Sequence, residues 1–256
     1  MIKDMKKISS LLVVLLLMLA SFTAGVEYQR GDVNQDGNVN ISDVTCLIDY
    51  LLSGTWGDEP VTPPDGHEWV DLGLPSGTLW ATCNVGATRP GEYGDYFAWG
   101  ETEPKEVYDW TTYKWCNGSE NTMTKYCSNS SFGIVDNKTE LDPEDDAAYV
   151  NWGPSWRMPT HEQLQELAEN CTWECSGASC KFTGPNGNTL YLPGAGYYYY
   201  DLFSGEGDGG IYWSRTIDPE YNNAFYLNFY MYGVSYDFTC RRMDGFTVRA
   251  VRVSQN

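Results

Sequence analysis

Side chains that carry oxygen recur at nearly every second position of the segment GDVNQDGNVNISD, which spans residues 31–43. Counted from Asp32 as position 1, they fall at positions 1, 3, 5, 7, 9 and 12 of a loop, and Gly37 falls at position 6, where a sharp turn tolerates positive φ. The residues are Asp32, Asn34, Asp36, Asn38, Asn40 and Asp43. Calcium takes six to eight oxygen ligands from such positions, and the ligand at position 7, here Asn38, is the backbone carbonyl oxygen. The spacing therefore predicts a calcium site, and the alternative is an Asx- and Gly-rich turn without an ion.

The loop runs directly into an apolar helix pattern that would hold it in place. Val44, Leu47, Ile48, Leu51 and Leu52 recur at helical spacing, and the pattern ends at Gly54. This EF-hand-like loop and helix resemble one repeat of a type I dockerin, a calcium-binding module that docks onto cohesins in polysaccharide-degrading complexes. Dockerins carry two such repeats, whereas one is found here, over residues 31–54. The resemblance implies calcium at the loop and raises a cohesin-like partner as an open possibility.

The first 25 residues have the composition of a signal peptide. Lys3, Lys6 and Lys7 form a basic start, the apolar run over residues 11–20 is too short to span a bilayer, and small residues follow at 23–25. We expect cleavage there and export to the medium or the cell surface, with an uncleaved anchor as the alternative. Because no cysteine lies near the cut, a lipid anchor is not expected. If the segment is cleaved as predicted, no membrane anchor is expected.

Charge and composition narrow the function further. The net charge is −19 with an isoelectric point near 4.3, so nucleic acid and anionic membrane surfaces are not expected as partners. The chain holds 10 Trp, 19 Tyr and 26 Gly residues, which favours short strands joined by turns. Residues 26–54 form the dockerin-like segment, and the Pro- and Gly-rich residues 55–67 are predicted to be a linker.

From residue 68 onward the sequence carries an ordered series of motifs. They include EWVDLGLPSGTLWATCNVGATRPGEYGDYFAWGETEP, WGPSWRMPTHEQLQELAENCTW, LPGAGY, YWSRT and VRAVRV. This series resembles the Fibrobacter succinogenes major paralogous domain, and we assign residues 68–256 to it. The resemblance implies a C-type-lectin-like fold, related to that of formylglycine-generating enzymes, in an exported surface protein.

Local patterns agree with an α+β, strand-rich domain with one or two helices. Thr160 and Gln163 form a capping box that predicts a helix with Leu164 and Leu167 on its buried side. The segment AFYLNFYMY alternates with period two, so we expect one of its faces to be buried and the other to be open. The expected core side is Phe225, Leu227, Phe229 and Met231, and the expected outer side is Tyr226, Asn228, Tyr230 and Tyr232.

Tyrosines are the candidate ligand-binding residues of this domain. GYYYYD, at residues 196–201, and the outer side of the alternating strand supply more phenol rings than one core needs. The predicted ligand-binding set is Tyr198, Tyr200, Tyr226, Tyr230 and Tyr232. Its ligand would be an extracellular glycan or protein; the alternative is that these rings cover sheet faces and loops.

Catalytic arrangements have weaker support. The two histidines, His67 and His161, lack the spacing of a zinc protease or a serine triad. Glu101 with Glu103, or the acidic run over residues 142–146, could serve a glycosidase, although solvated loop charge explains them as well. A second cation in the run is an alternative that its ligand spacing does not support. We therefore predict a calcium-binding, lectin-like binding protein, and the alternatives are a glycosidase, a cysteine-dependent oxidase or a structural surface component.

Eight cysteines in an exported chain predict structural disulfides. Cys175 and Cys180 flank SGAS, and Cys116 and Cys127 flank a loop of the kind that a bridge would close. Cys46 stands apart in the dockerin-like segment, where it could be an apolar filler or bond to another part of the chain or to another chain. The sequence does not fix the pairing.

Overall fold

The structure is a computed structural model that describes residues 66–253. The chain divides into two units, residues 1–62 and residues 63–256, and every described residue belongs to the second. The helices are α1 (Ala147–Trp152) and α2 (His161–Asn170), and a 3-10 turn spans Pro143–Asp145. The strands are β1 (Trp69–Asp71), β2 (Thr78–Asn84), β3 (Tyr96–Phe97), β4 (Thr172–Cys175), β5 (Ser179–Thr183), β6 (Thr189–Pro193), β7 (Ala195–Tyr199), β8 (Leu202–Glu206), β9 (Gly209–Ile217), β10 (Ala224–Tyr230), β11 (Gly233–Cys240), β12 (Phe246–Thr247) and β13 (Arg249–Val253). The described residues are therefore strand-rich, as predicted, with two short α-helices.

Three sheets organise these strands. The central one has the order β11-β10-β9-β12-β3, and the β7–β8 hairpin joins it through a parallel contact between Gly196 and Gly210. The other two have the orders β1-β2-β13 and β4-β5-β6. Gly196 has a positive φ of 62°, and a Cβ there would come within 2.3 Å of the Ser204 carbonyl oxygen, so glycine permits β7 to lie close against β8.

The predicted capping box at the start of α2 is confirmed. The Thr160 hydroxyl accepts from the Gln163 amide at 3.2 Å, and the Gln163 side chain accepts from the Thr160 amide at 3.0 Å. Leu164 and Leu167 are buried, as the helical spacing predicts. They pack with Phe229 of β10, so that α2 covers one face of the central sheet.

The opposite face of the central sheet is also covered. Trp213 of β9 and Phe246 of β12 stack with ring centroids 4.0 Å apart, within a cluster that also contains Trp99 and Trp156. Both faces of the central strands therefore carry apolar side chains, which is typical of a sheet buried on two sides. A third cluster, around Tyr108 and Met123, lies under the long loops.

The alternation predicted for β10 holds in its middle and fails at its end. Leu227 and Phe229 are fully buried, whereas Phe225 is half-buried and stacks on the His161 ring at 4.0 Å. Met231 is 56% exposed, so its predicted place in the core is wrong. The reason is that β10 ends at Tyr230 and Met231 lies in the turn that leads to β11.

Candidate functional site

Three of the predicted ligand-binding tyrosines lie on β10 or directly after it. Tyr226 is half-buried, with its ring edge-on to Trp213 at 6.4 Å and to Phe246 at 5.6 Å. Tyr230, the last residue of the strand, is 47% exposed, and Tyr232 in the turn is 91% exposed. Tyr226 thus contributes to the core, because the second face of the sheet is covered, whereas Tyr230 presents its ring to solvent.

The remaining two predicted tyrosines, on and after β7, are placed differently. Tyr198 stacks on Tyr108 at 5.3 Å and meets Tyr96 edge-on at 5.0 Å, in the cluster under the loops. Tyr200 follows the strand with a positive φ of 57° and is 42% exposed. Its ring meets that of Tyr199 at 4.4 Å. Successive side chains of a strand point to opposite faces, so the four consecutive tyrosines cannot form one surface.

Tyr197 joins the tyrosines of β10, although the sequence prediction left it out. Its ring lies 6.0 Å from Phe246, the same ring that Tyr226 contacts. Burial raises the pKa of Tyr230, and the neighbouring Tyr197 raises it further. Burial likewise raises the pKa of Tyr226 to about 12, with Tyr230 among the smaller causes. The three phenols are therefore close enough to interact.

Arg241 follows β11 at the end where Cys240 pairs with Ala224, whereas Tyr230 pairs with Gly233 at the opposite end of the same two strands. Its guanidinium lies over the Tyr199 ring at 4.4 Å, a cation–π contact, and its Nη2 lies 3.5 Å from the Asp244 Oδ2. We call Tyr197, Tyr199, Tyr226, Tyr230 and Arg241 the tyrosine–arginine face. Sequence reasoning missed Arg241, although a basic pair followed closely by an aspartate, RRMD, stands out near a tyrosine-rich strand of an acidic chain.

Asp244 supplies a buried carboxylate beneath this face. It is 2% exposed, and its Oδ2 accepts from the Cys240 thiol at 3.1 Å as well as pairing with Arg241. Its Oδ1 is buried and has no hydrogen-bond partner among the described residues. Burial raises the pKa of Asp244, and the contacts with Cys240 and Arg241 oppose that shift. An unsatisfied buried acceptor costs about 1–3 kcal/mol, so a donor from a ligand or from water would stabilise this position.

The acidic run after residue 141 has a structural arrangement. Ligand-type oxygens of Asp142, Glu144 and Asp145 lie within 4.8 Å of one another. However, the Lys125 ammonium lies 2.6 Å from a carboxylate oxygen of both Asp142 and Asp145, and Lys114 lies 3.2 Å from Asp145. Lysines therefore already pair with Asp142 and Asp145, so these contacts do not favour a cation at the run.

Glu101 is similarly engaged. It is 8% exposed, accepts from the Lys105 ammonium at 3.0 Å and accepts from the Lys114 amide at 2.8 Å, whereas Glu103 is exposed. Glu101 therefore has partners that fix the loop, and its contacts do not favour the glycosidase alternative.

Cysteine pairing is sparser than predicted. One bridge, Cys175–Cys180, joins facing residues of β4 and β5. Five further cysteines of residues 66–253 are free thiols, namely Cys83, Cys116, Cys127, Cys171 and Cys240, so the expected bridge across the Cys116–Cys127 loop is wrong. Their spacing along the chain showed that a bridge could close a loop, but only the fold determines whether two sulfurs meet. Cys46 lies outside the described residues.

Three of the free thiols have a raised pKa, which is the opposite of what a nucleophilic cysteine requires. Burial raises the pKa of Cys83, raises that of Cys171 to about 11 and raises that of Cys240 to about 12. A reactive cysteine needs a lowered pKa, because the thiolate is the reactive form. These three residues therefore do not favour a cysteine-dependent oxidase.

The predicted calcium ligands, from Asp32 to Asp43, lie outside the described residues, so their geometry stays a prediction. None of the helices in the described part of the chain has the length and apolarity that crossing a bilayer requires.

Comparison with known proteins identifies one region. Residues 30–66 match the dockerin type I domain, and all six predicted calcium ligands fall inside that range. Dockerin type I domains bind calcium and typically bind cohesin partners, and the proteins that carry them are typically extracellular. The match indicates a calcium-binding component of a cellulosome-like assembly. No curated protein and no solved structure matches the chain.

Proposed function

We propose that this protein is exported by a signal peptide at residues 1–25, joins a polysaccharide-degrading assembly through residues 30–66, and binds an extracellular carbohydrate through the tyrosine–arginine face. The dockerin match supports the binding to the assembly. In this proposal calcium is held by six loop residues, namely Asp32, Asn34, Asp36, Asn38, Asn40 and Asp43. A cohesin-like protein is the corresponding partner. The carbohydrate is the ligand that a non-catalytic domain of such an assembly would contribute.

The fold proposed for residues 68–256 is the C-type-lectin-like fold implied by the Fibrobacter succinogenes major paralogous domain. Support comes from the strand-rich architecture, from α2 packed on the central sheet, and from β13, which pairs with β2 close to the start of the domain. A domain of this kind presents its ligand site on loops and strand ends, and Tyr230 and Arg241 occupy such positions.

The carbohydrate proposal rests on an exposed ring at one end of the β10–β11 pair and an incompletely paired charge at the other end. Tyr230 is 47% exposed, and the Arg241 side chain is 40% exposed beside an Asp244 that retains an unpartnered oxygen. Sugars are bound by aromatic rings that contact their C–H faces and by a few polar groups that fix their hydroxyls. The tyrosine–arginine face provides both kinds of group.

Calorimetric titration of the purified chain with calcium tests the calcium site proposed within residues 30–66. We expect the heat of one bound ion, and we expect Asp32→Ala and Asp43→Ala each to abolish it, because each removes a carboxylate ligand. Asp58→Ala is the matched control, since it removes an acidic residue within the dockerin match but outside the loop. Unchanged calcium binding in the two loop variants would show that the ion site is misassigned.

A glycan array followed by titration of the best glycan tests the carbohydrate half. We expect Tyr230→Ala to weaken binding about tenfold, which is about 1.4 kcal/mol, while the melting temperature changes little. Tyr191→Ala is a closely matched control, because Tyr191 is 48% exposed on β6, in a different sheet. Failure of the purified chain to bind any glycan, or a large stability loss in Tyr230→Ala without a binding effect, would contradict the proposal and favour a structural surface component.

A further inference from the structure

A cavity of about 190 Å³ opens beside α1, away from the residues of the tyrosine–arginine face. Its lining includes Tyr149, Ser155, Trp156, Arg157 and Arg215, together with the carboxylate of Asp146. The space is large enough for several water molecules. It is smaller than the usual binding pocket for a drug-sized molecule and therefore suits a single small ring or a terminal group of a longer ligand.

Two cations border this small space in a chain with a net charge of −19. Arg215 is held in place by protein groups: its Nη2 donates to the Leu141 carbonyl, its Nε lies 3.4 Å from a Glu140 oxygen, and its Nη1 lies 3.8 Å from the Asp146 Oδ2. Its position at the cavity is therefore fixed before any ligand arrives.

Asp146 does not neutralise the second arginine. Its Oδ1 accepts from the amides of Ala148, Tyr149 and Met158 at 3.0, 3.1 and 3.0 Å, and its Oδ2 also accepts from Met158. The carboxylate therefore serves to join the start of α1 to the strand-like segment at Met158. Its oxygens are directed to backbone donors, which leaves little capacity for a further guanidinium.

Arg157 is the unpaired cation of the cavity. Its backbone is fixed by a pair of hydrogen bonds with Val251, but its guanidinium makes no hydrogen bond or ion pair with any described residue. Its Nε is buried without a partner. Burial lowers the pKa of Arg157, the adjacent Arg215 lowers it further, and the charges of Asp146 and Glu140 partly oppose this. An anion that hydrogen-bonds to the outer nitrogens of a guanidinium in these surroundings would stabilise its positive charge.

We infer that this cavity binds the carboxylate of a single acidic sugar residue, with Arg157 as the main contact and Arg215 beside it. A carboxylate matches the planar fork of a guanidinium, and the hydroxyls of Tyr149 and Ser155 can contact the sugar hydroxyls. The size of the cavity admits one ring, either of a free sugar acid or at the end of a longer chain. This site is separate from the tyrosine–arginine face, and its assignment does not depend on that face binding a glycan.

The test is titration of the purified full chain with galacturonate, galactose and acetate. We expect galacturonate to bind, galactose to bind at least tenfold more weakly because it lacks the carboxylate, and acetate to bind more weakly because it lacks the ring. Equal affinity for galactose would overturn the role of the arginines, and equal affinity for acetate would overturn the assignment to a sugar acid. No measurable binding of galacturonate would overturn the inference as a whole.

Variants locate the site. Arg157→Met removes the charge and should weaken galacturonate binding at least tenfold, whereas Arg89→Met, at a surface arginine that is 82% exposed, should leave it unchanged. Arg157→Lys keeps the charge, loses the fork and should give an intermediate affinity; it also serves if the methionine variant does not fold. Tyr230→Ala should leave galacturonate binding intact, which separates failure of this site from failure of the tyrosine–arginine face. Galacturonate binding that survives in both Arg157 variants would overturn the inference.

Discussion

The carboxylates near Lys125 and the tyrosine–arginine face contain the same kinds of residue but differ in the role we assign to them. In the first, the Lys125 ammonium lies 4.9 Å from the Trp115 ring centroid and 2.6 Å from an oxygen of Asp145. In the second, Arg241 lies 4.4 Å from the Tyr199 ring centroid and 3.5 Å from an oxygen of Asp244. Each region thus combines a cation, a ring and a buried carboxylate.

The two regions differ in how completely their polar atoms are paired. Asp145 accepts from the Tyr126 hydroxyl at 2.7 Å in addition to its two lysines. Asp244, by contrast, keeps one unpartnered oxygen, and the Arg241 side chain is 40% exposed. A fully paired cluster holds loops together, whereas a partly paired one retains capacity for a ligand. Completeness of pairing, more than residue type, therefore distinguishes scaffold from candidate site.

The largest effect is expected from Asp145→Ala. The substitution leaves the buried Tyr126 hydroxyl without its acceptor and removes a charge partner of two lysines, so we expect a loss of about 3 kcal/mol in the free energy of unfolding. Urea denaturation measures it. Glu144→Ala, at a neighbouring side chain that is 72% exposed, should change stability by less than about 0.5 kcal/mol. Equal effects of the two substitutions would remove the distinction between the regions.

A smaller effect of a different kind is expected from Arg241→Met. The side chain is 40% exposed and its nearest acid is partly satisfied by Cys240, so stability should change little. Affinity for the glycan found on the array should fall about tenfold, or about 1.4 kcal/mol, because the cation of the face is lost. Arg89→Met is the control at an exposed arginine elsewhere. Destabilisation as large as that of Asp145→Ala would place Arg241 among the structural charges.

The smallest effect is expected from the pH dependence of Asp244→Asn. Burial raises the pKa of Asp244 in the folded protein, so the folded state binds this proton more tightly than the unfolded state. The associated stability is complete below the ordinary pKa of about 3.9 and is lost as pH rises through the raised folded value. The asparagine variant has no such loss. The gap between the two melting temperatures, taken as the variant's value minus that of the natural protein, should therefore widen by about 1–2 °C from pH 4 to pH 7. A gap that narrows over this range would contradict the raised pKa.

Local sequence rules predicted several elements of the described domain correctly. The capping box at Thr160 and Gln163 and the buried side of α2 depend on contacts within a few residues, so spacing along the chain is enough to find them. The alternation through Leu227 and Phe229 was also readable, because the period of a strand is a property of its backbone.

Other features depended on which distant segments cover a given side chain. Tyr226 was expected to face outward, but β12 and β7 bring Phe246 and Tyr197 against its side of the sheet. Likewise, alternation showed that neighbouring tyrosines of β7 must diverge, yet only the packing of Tyr198 on Tyr108 showed which of them leave the surface. The partner of Arg241 also became evident only in the folded chain, where Asp244 is buried beside it.

The sequence by itself predicted the calcium loop, since its proposed ligands lie within twelve consecutive positions, and residues 30–66, which contain them, match a dockerin type I domain. It also determined the strand-rich class of the second unit. Only the tertiary structure decided which cysteines meet, which tyrosines remain open and that the Arg157 guanidinium has no ion-pair partner among the described residues. The physical reason is that ligand spacing and strand period act over a few residues, whereas burial and charge pairing are set by segments far apart in the chain: Arg157, for example, is fixed by Val251.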